Sequence, residues 1–301
     1  MSLNVSFIGL GEMGKWMALN VLKATHQLMV YDIKTAPVEE LVKSGAKAAR
    51  NPLDIARNTN CIFLSLPDTE IVERVVFGEN GLVDGLSTGT IVVDLSTINY
   101  KATLMIESRL KAKGATFIDA PVSGMESRAK DGTLTVMVGG DLKTVESIRP
   151  ILDTIGNKII YMGKSGNGQL TKLMNQLFYN ISVAATAELL PMAVKLGLDP
   201  EELYKVVTTG TGQTFAFQFF TPLILDNNFE QGYSLGEAYK DMVSAEEISS
   251  LEKIPLPVFS AAMQTYQMSL NQGLEHENKG AMIKVWEKEL GIKVRRKRRS
   301  Q

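Results

Sequence analysis

The chain has 301 residues, of which 45% are hydrophobic and 22% charged. That profile suits a globular protein with length for one large or two medium domains. A net charge of −1 removes any bulk electrostatic case for binding nucleic acid or an anionic membrane. Cys61 is the one cysteine, which excludes an internal disulfide and a cysteine-built metal site. It lies in the apolar run 61–64 and reads as a small buried hydrophobe. His26 and His276 are isolated, and no metal site is expected. The short apolar N-terminal stretch runs into glycines and reads as a strand rather than a signal peptide. No run reaches the length of a membrane span, so a cytoplasmic protein is expected.

Residues 4–9 form a β-rich run leading into Gly9-Leu-Gly11-Glu12-Met13-Gly14 and a helix over about 13–24. A second strand over 27–31 ends at Asp32. A lone G-x-G-x-x-G is weak, but strand, glycines, helix, strand and acid in that order are a strong dinucleotide-binding signal. Gly9 permits the tight turn, Gly11 admits a pyrophosphate close to backbone, and Gly14 lets helix pack on strand. The helix N-terminus offers N–H groups and positive dipole to phosphates. Asp32 lies about 20 residues on, where a carboxylate accepts from ribose hydroxyls and repels a 2′-phosphate.

Further βα alternation follows. Helices are expected over 37–44, 52–57, 68–77, 101–113 and 142–155. Strands are expected over 46–48, 61–66, 91–94, 116–119, within 132–139, and over 159–161. Ligands in such sheets sit beyond the carboxyl ends of strands. The ends at Gly9–Gly14, at Ser65-Leu66-Pro67 and at Leu95-Ser96-Thr97 therefore face one crevice. Ser123 and Gly124 pair a hydroxyl with an unencumbered N–H, which fits carboxylate binding and an ordinary Ser-Gly turn equally well.

The stretch 166–176 opens the longest helix, running to about Leu196. Leu170, Leu173, Met174, Leu177, Phe178, Ile181, Ala184, Ala185, Leu189 and Met192 recur at three- and four-residue steps and predict one buried stripe. Lys172, Asn175, Gln176, Tyr179 and Thr186 form a second stripe, facing solvent or a cleft. Beyond Pro200 only helices are expected, over 200–209, 214–220, 235–251, 258–271 and 280–290. Phe215, Phe217, Phe219 and Phe220 suit a core or a subunit contact. The basic run 295–299 reads as a solvated tail.

Together, Phe7–Gly14, Asp94-Leu-Ser-Thr-Ile98, Asp119–Gly124, Gly132–Gly140, Gly166–Gln176, Lys240-Asp241 and 281–286 resemble the β-hydroxyacid dehydrogenase family, the 3-hydroxyisobutyrate dehydrogenase-like enzymes. The resemblance spans nearly the whole chain. It implies an α/β Rossmann domain, a long interdomain helix and an all-α C-terminal domain, divided here as 1–163 and 164–301. It also implies NAD as cofactor, with NADP use allowed by Lys34 near Asp32, a small hydroxy-acid substrate or its semialdehyde, no metal, and a homodimer or homotetramer.

Carried over residue by residue, the resemblance makes Lys172 the catalytic lysine and Ser123 and Gly124 the substrate-carboxylate contacts. Asn175 and Gln176 become the paired amides. Gly9, Gly11, Glu12, Met13, Gly14, Asp32, Leu66, Pro67, Thr97 and the cleft lysine Lys240 fall to the cofactor side. Three departures stand out. Met125 replaces the usual second glycine after Ser-Gly, Gln176 replaces a frequent asparagine, and Glu277-Asn-Lys-Gly stands where Asp-x-Ser is usual. The mechanism implied is hydride exchange with Lys172 as general acid and base. A lysine serves as a base near neutrality only where its surroundings pull its pKa below about 10.4. A 6-phosphogluconate dehydrogenase would need a larger C-terminal domain. An imine reductase usually replaces the lysine. A non-catalytic reader of the same fold has only the basic tail in its favour.

Overall fold

The computed structural model describes residues 3–296, and the chain forms two compact units, Met1–Lys172 and Leu173–Gln301. The first unit is built on a nine-stranded sheet. Its strands are β1 (Val5–Ile8), β2 (Met29–Tyr31), β3 (Lys47–Ala48), β4 (Cys61–Leu64), β5 (Ile91–Asp94), β6 (Thr116–Asp119), β7 (Val122–Ser123), β8 (Leu134–Gly139) and β9 (Gly156–Gly163). The order β3-β2-β1-β4-β5-β6 is parallel throughout. β8 then turns antiparallel to β6 and β7, and β9 pairs with β8 in parallel.

The central strands are apolar runs because both faces of the sheet are covered. Alternate residues feed opposite layers. Phe7, Phe63, Val93 and Ile118 pack on one side, and Ile8, Ile62, Leu64, Val92 and Phe117 on the other. The covering helices are α1 (Gly14–Thr25), α2 (Thr35–Lys43), α3 (Pro52–Asn58), α4 (Thr69–Phe77), α5 (Tyr100–Ala112), α6 (Met125–Lys130) and α7 (Leu142–Ile155). Asn51, Asp68, Asn99 and Asp141 start four of them by accepting backbone N–H bonds. Two elements lay outside the sequence expectation, β7 and α6. Cys61 is fully buried, and burial pushes its thiol up to about 12, so it is an inert core residue.

The long helix α8 covers Asn167–Lys195. The second unit continues through α9 (Pro200–Thr209), α10 (Phe215–Leu225), α11 (Leu235–Leu251), α12 (Pro257–Leu270) and α13 (Ile283–Leu290). Its core gathers Phe220, Leu235, Met242, Tyr266 and Met282 with Leu177, Val183, Ala184, Ala187 and Leu190 of α8.

Three expectations are corrected here. First, α8 does not bury the predicted stripe. Met174, Phe178, Leu189 and Met192 are exposed, Phe178 at 77%, while Thr186 of the polar stripe is buried. α8 is apolar nearly all round, so spacing alone did not identify the inward face. Second, α8 is long and apolar enough to cross a bilayer by length and composition, although much of its apolar stretch is buried in the protein. Third, the start of the basic run is docked rather than solvated. Arg295 donates to Glu287 and Asn227, and Arg296 to Asp226 and Glu201. The rest of that run, 297–299, lies outside the described residues.

Candidate active site

The turn after β1 is shaped by glycines at close approaches. Gly9 has φ +93°, and a Cβ there would lie 2.1 Å from the Ser65 carbonyl oxygen. A Cβ at Gly14 would lie 2.1 Å from the Gly9 oxygen. Both glycines are demanded by the protein's own packing. Gly11 differs, because an added Cβ would meet nothing within 4 Å. Its bare backbone faces open space at the start of α1, where no side chain caps the first N–H groups. That cradle fits a pyrophosphate. Glu12 is exposed and Met13 half-buried beside it. Asp32, at the end of β2, accepts from Leu10 N at 2.6 Å and from Lys34 N at 2.8 Å. Each oxygen keeps a lone pair for a ribose hydroxyl. The residues present therefore fit the pyrophosphate and ribose of a dinucleotide.

The next strand ends are wired together. Leu66 N donates to Ser96 Oγ at 2.9 Å, and Ser96 N to Asp94 Oδ1 at 3.0 Å. Pro67 is exposed after Leu66, and Thr97 is exposed between two buried neighbours, Ser96 and Ile98. Asp94 stands opposite Asp119 in the sheet register. Burial pushes the Asp94 carboxyl up to about 7; its bonds with Ser96 pull the other way, and the Asp119 charge adds to the rise. Its Oδ2 has no hydrogen-bond partner. Asp119 accepts from Gly166 N at 2.7 Å and Gln169 N at 3.0 Å. Burial raises its pKa as well, and these backbone donors oppose the rise. Asp119 thus holds the start of α8 onto the sheet.

Ser123 closes β7, and Gly124 (φ 147°) precedes α6. Met125 takes the left-handed conformation at φ 66°, which favours glycine, and is 46% exposed. The Ser-Gly pair is thus a strand end joined to a helix start rather than a simple turn. Lys172, half-buried on α8, donates from Nζ to Val122 O at 2.9 Å. The first unit therefore ties Lys172 to the residue that precedes Ser123 and Gly124.

Asn175 and Gln176 follow on the same helix, three and four residues after Lys172, and share its face. Asn175 is exposed, and Gln176 Nε2 donates to Asp241 Oδ2 at 3.2 Å. Lys240 of α11 pairs with Glu237 at 2.8 Å and is 70% exposed. The run at Glu277 gains a reading. Lys279 is fully buried, donates to Asn180 Oδ1 at 2.8 Å and lies 3.5 Å from the Tyr179 ring centre. Asn278 bridges to Asn228 O and Gln231 O. Asp94, Asp119, Gln169 and Lys279 were not singled out from the sequence. A carboxylate closing each of two adjacent apolar strands was the available signal for the first two.

Known proteins supply the context for this geometry. Residues 4–163 match the family described as the NAD binding domain of 6-phosphogluconate dehydrogenase. Residues 166–286 match that described as NAD-binding of NADP-dependent 3-hydroxyisobutyrate dehydrogenase. The chain is 36% identical to 2-(hydroxymethyl)glutarate dehydrogenase of Eubacterium barkeri, over 97% of this chain and 98% of that one. It is 31% identical to the NAD-dependent L-serine dehydrogenase of Pseudomonas aeruginosa, over 94% and 97%. The 3-hydroxyisobutyrate dehydrogenase of Mycobacterium tuberculosis, solved with L-serine, superposes with a TM-score of 0.85 at 27% identity, over 94% and 99%.

Proposed function

Because the chain belongs to the 3-hydroxyisobutyrate dehydrogenase-like family of NAD(P)-dependent oxidoreductases, we propose that it interconverts a short β-hydroxy acid and its semialdehyde, with Lys172 as general acid and base. The observation that carries this reading is the bond from Lys172 Nζ to Val122 O. It ties the ammonium to the residue just before Ser123 and Gly124, whose hydroxyl and N–H are suited to a substrate carboxylate. Gly9, Gly11, Glu12, Met13, Gly14, Asp32, Leu66, Pro67 and Thr97 hold the dinucleotide in this reading, with Lys240 on the cofactor side. Bound NAD(P) supplies the hydride acceptor or donor.

In oxidation Ser123 and Gly124 anchor the carboxylate, and Asn175 and Gln176 orient the reacting oxygen. Lys172 takes the hydroxyl proton and returns it in reduction. The division into a dinucleotide-binding part (1–163) and a part for substrate and assembly (164–301) belongs to the same proposal. The exposed Met174, Phe178, Leu189 and Met192 of α8 support a homo-oligomer, as apolar surface on one helix face gains by burial against a second copy. A cytoplasmic location is part of the proposal too.

The test follows absorbance of the reduced nicotinamide over a panel of short β-hydroxy acids with NAD and NADP, and over their semialdehydes in reverse. The Lys172→Ala variant should lose roughly 10²–10⁴-fold in kcat with cofactor affinity kept. Silence across the panel with cofactor binding intact would return the chain to a non-catalytic role.

A further inference from the structure

Gln169 is 2% exposed and uses its whole amide on backbone. Its Nε2 donates to Ser96 O at 2.7 Å, and its Oε1 accepts from Ile98 N at 3.2 Å. These two residues flank Thr97. Its own N–H is held by Asp119 Oδ2, and Lys172 follows three residues along the same helix. We propose that Gln169 is the positioning residue that fixes the Thr97 segment against the turn of helix carrying Lys172. One planar head clamps the chain on both sides of Thr97 and ties it to the base.

The inference rests on the roles given above to Thr97 and Lys172. It adds a coupling between them through a side chain that touches neither substrate nor cofactor. The chemistry restricts the residue. Ile98 N–H needs an acceptor and Ser96 C=O needs a donor, both from one head and both out of water. Leucine would leave two buried backbone groups unpaired. A protonated glutamic acid keeps both bonds, with its O–H donating to Ser96 O. An ionised glutamate keeps the Ile98 bond and sets a negative oxygen against the Ser96 carbonyl.

The test therefore compares Gln169→Glu with wild type across pH, as the ratio of their kcat values. The titratable groups on the elements around this position are Asp119, bonded to Gln169 N, Asp94, joined to it through Ser96, Tyr100 near Gly166, and Lys172 one turn along the helix. The introduced carboxylate shifts these neighbours as they shift it, so a fall in the ratio reports the apparent pKa of the cluster that now includes position 169. Burial beside two carboxylates places the pKa of the introduced carboxyl above the usual value of about 4.3. The ratio should lie near one at acid pH and fall at least about tenfold as pH rises through that pKa. A pH-independent ratio overturns the proposal.

Gln169→Leu should lower kcat about 10–100-fold at every pH and weaken NADH affinity as well, since Thr97 lies on the cofactor side. Hydrogen exchange of the backbone over 95–99 should speed up by at least about tenfold in the same variant. Exchange needs no turnover, which separates the two claims. A Lys172→Ala enzyme with normal kcat defeats the catalytic reading alone. Unchanged exchange in Gln169→Leu, or faster exchange with unchanged kcat, defeats the positioning role alone.

Discussion

The two units treat buried charge differently. In the first, Asp94 and Asp119 close adjacent strands and are answered by backbone N–H groups of Ser96, Gly166 and Gln169. In the second, Lys279 is answered by Asn180 and an aromatic ring, and Glu287 by Arg295, Lys293 and the N–H of Val294. Backbone partners fix the course of the main chain, so the first pattern shapes loops around a ligand. Side-chain partners join elements distant in sequence, so the second pattern knits helices. A polar group is buried for placement in one unit and for cohesion in the other.

Glu287 gives the largest expected effect. Its side chain is 0% exposed, so Glu287→Ala strands the Val294 N–H and takes the carboxylate partner from Arg295, which keeps Asn227 and the Val294 carbonyl. Urea unfolding should record a loss of about 3 kcal/mol. Activity per folded molecule should stay normal. A loss below about 1 kcal/mol would remove Glu287 from the cohesive set.

Gly14 and Gly11 sharpen the first unit's side of the contrast. A Cβ at Gly14 meets the Gly9 oxygen at 2.1 Å, so Gly14→Ala should cost about 2 kcal/mol in the same assay. Gly11→Ala meets nothing within 4 Å. It should leave Tm nearly unchanged and weaken NADH binding about 10-fold or more by filling the cradle. Equal losses of stability in both would undo the distinction.

The effect at Asp94 depends on pH. Burial raises its pKa from 3.8 to about 7 in the folded chain. Between those values the folded state binds more proton than the unfolded one, so stability falls as pH rises through that window. Asp94→Asn removes the titration. Relative to wild type, the variant should gain stability steadily as pH rises from about 4 to about 7 and hold that gain above it. A pH-independent difference would show that Asp94 ionises in the fold as easily as out of it.

Much of the first unit was legible because its constraints are local. Gly9 and Gly14 sit at the spacing that a strand-turn-helix needs, and the strands 91–94 and 116–119 fall on short apolar runs that a sheet covered on both faces buries. The helices after Pro200 were legible as helices, several with matching bounds. Their inward faces were not. On α8, Met174 and Phe178 repeat with helical period yet lie exposed, while Leu177 and Val183 enter the core. β7 and α6 escaped because two strand residues and a helix opened by Met125 at positive φ carry little periodic signal.

The dinucleotide turn, the βα alternation and the family were decided in the amino-acid order, since each rests on residue types at short fixed spacings. Folding in three dimensions was needed to set the Lys172 ammonium against Val122 O, the Gln169 amide around Thr97, and Lys279 under Tyr179. Those contacts join residues far apart in the chain, and nothing in local spacing encodes which distant group a buried side chain will meet.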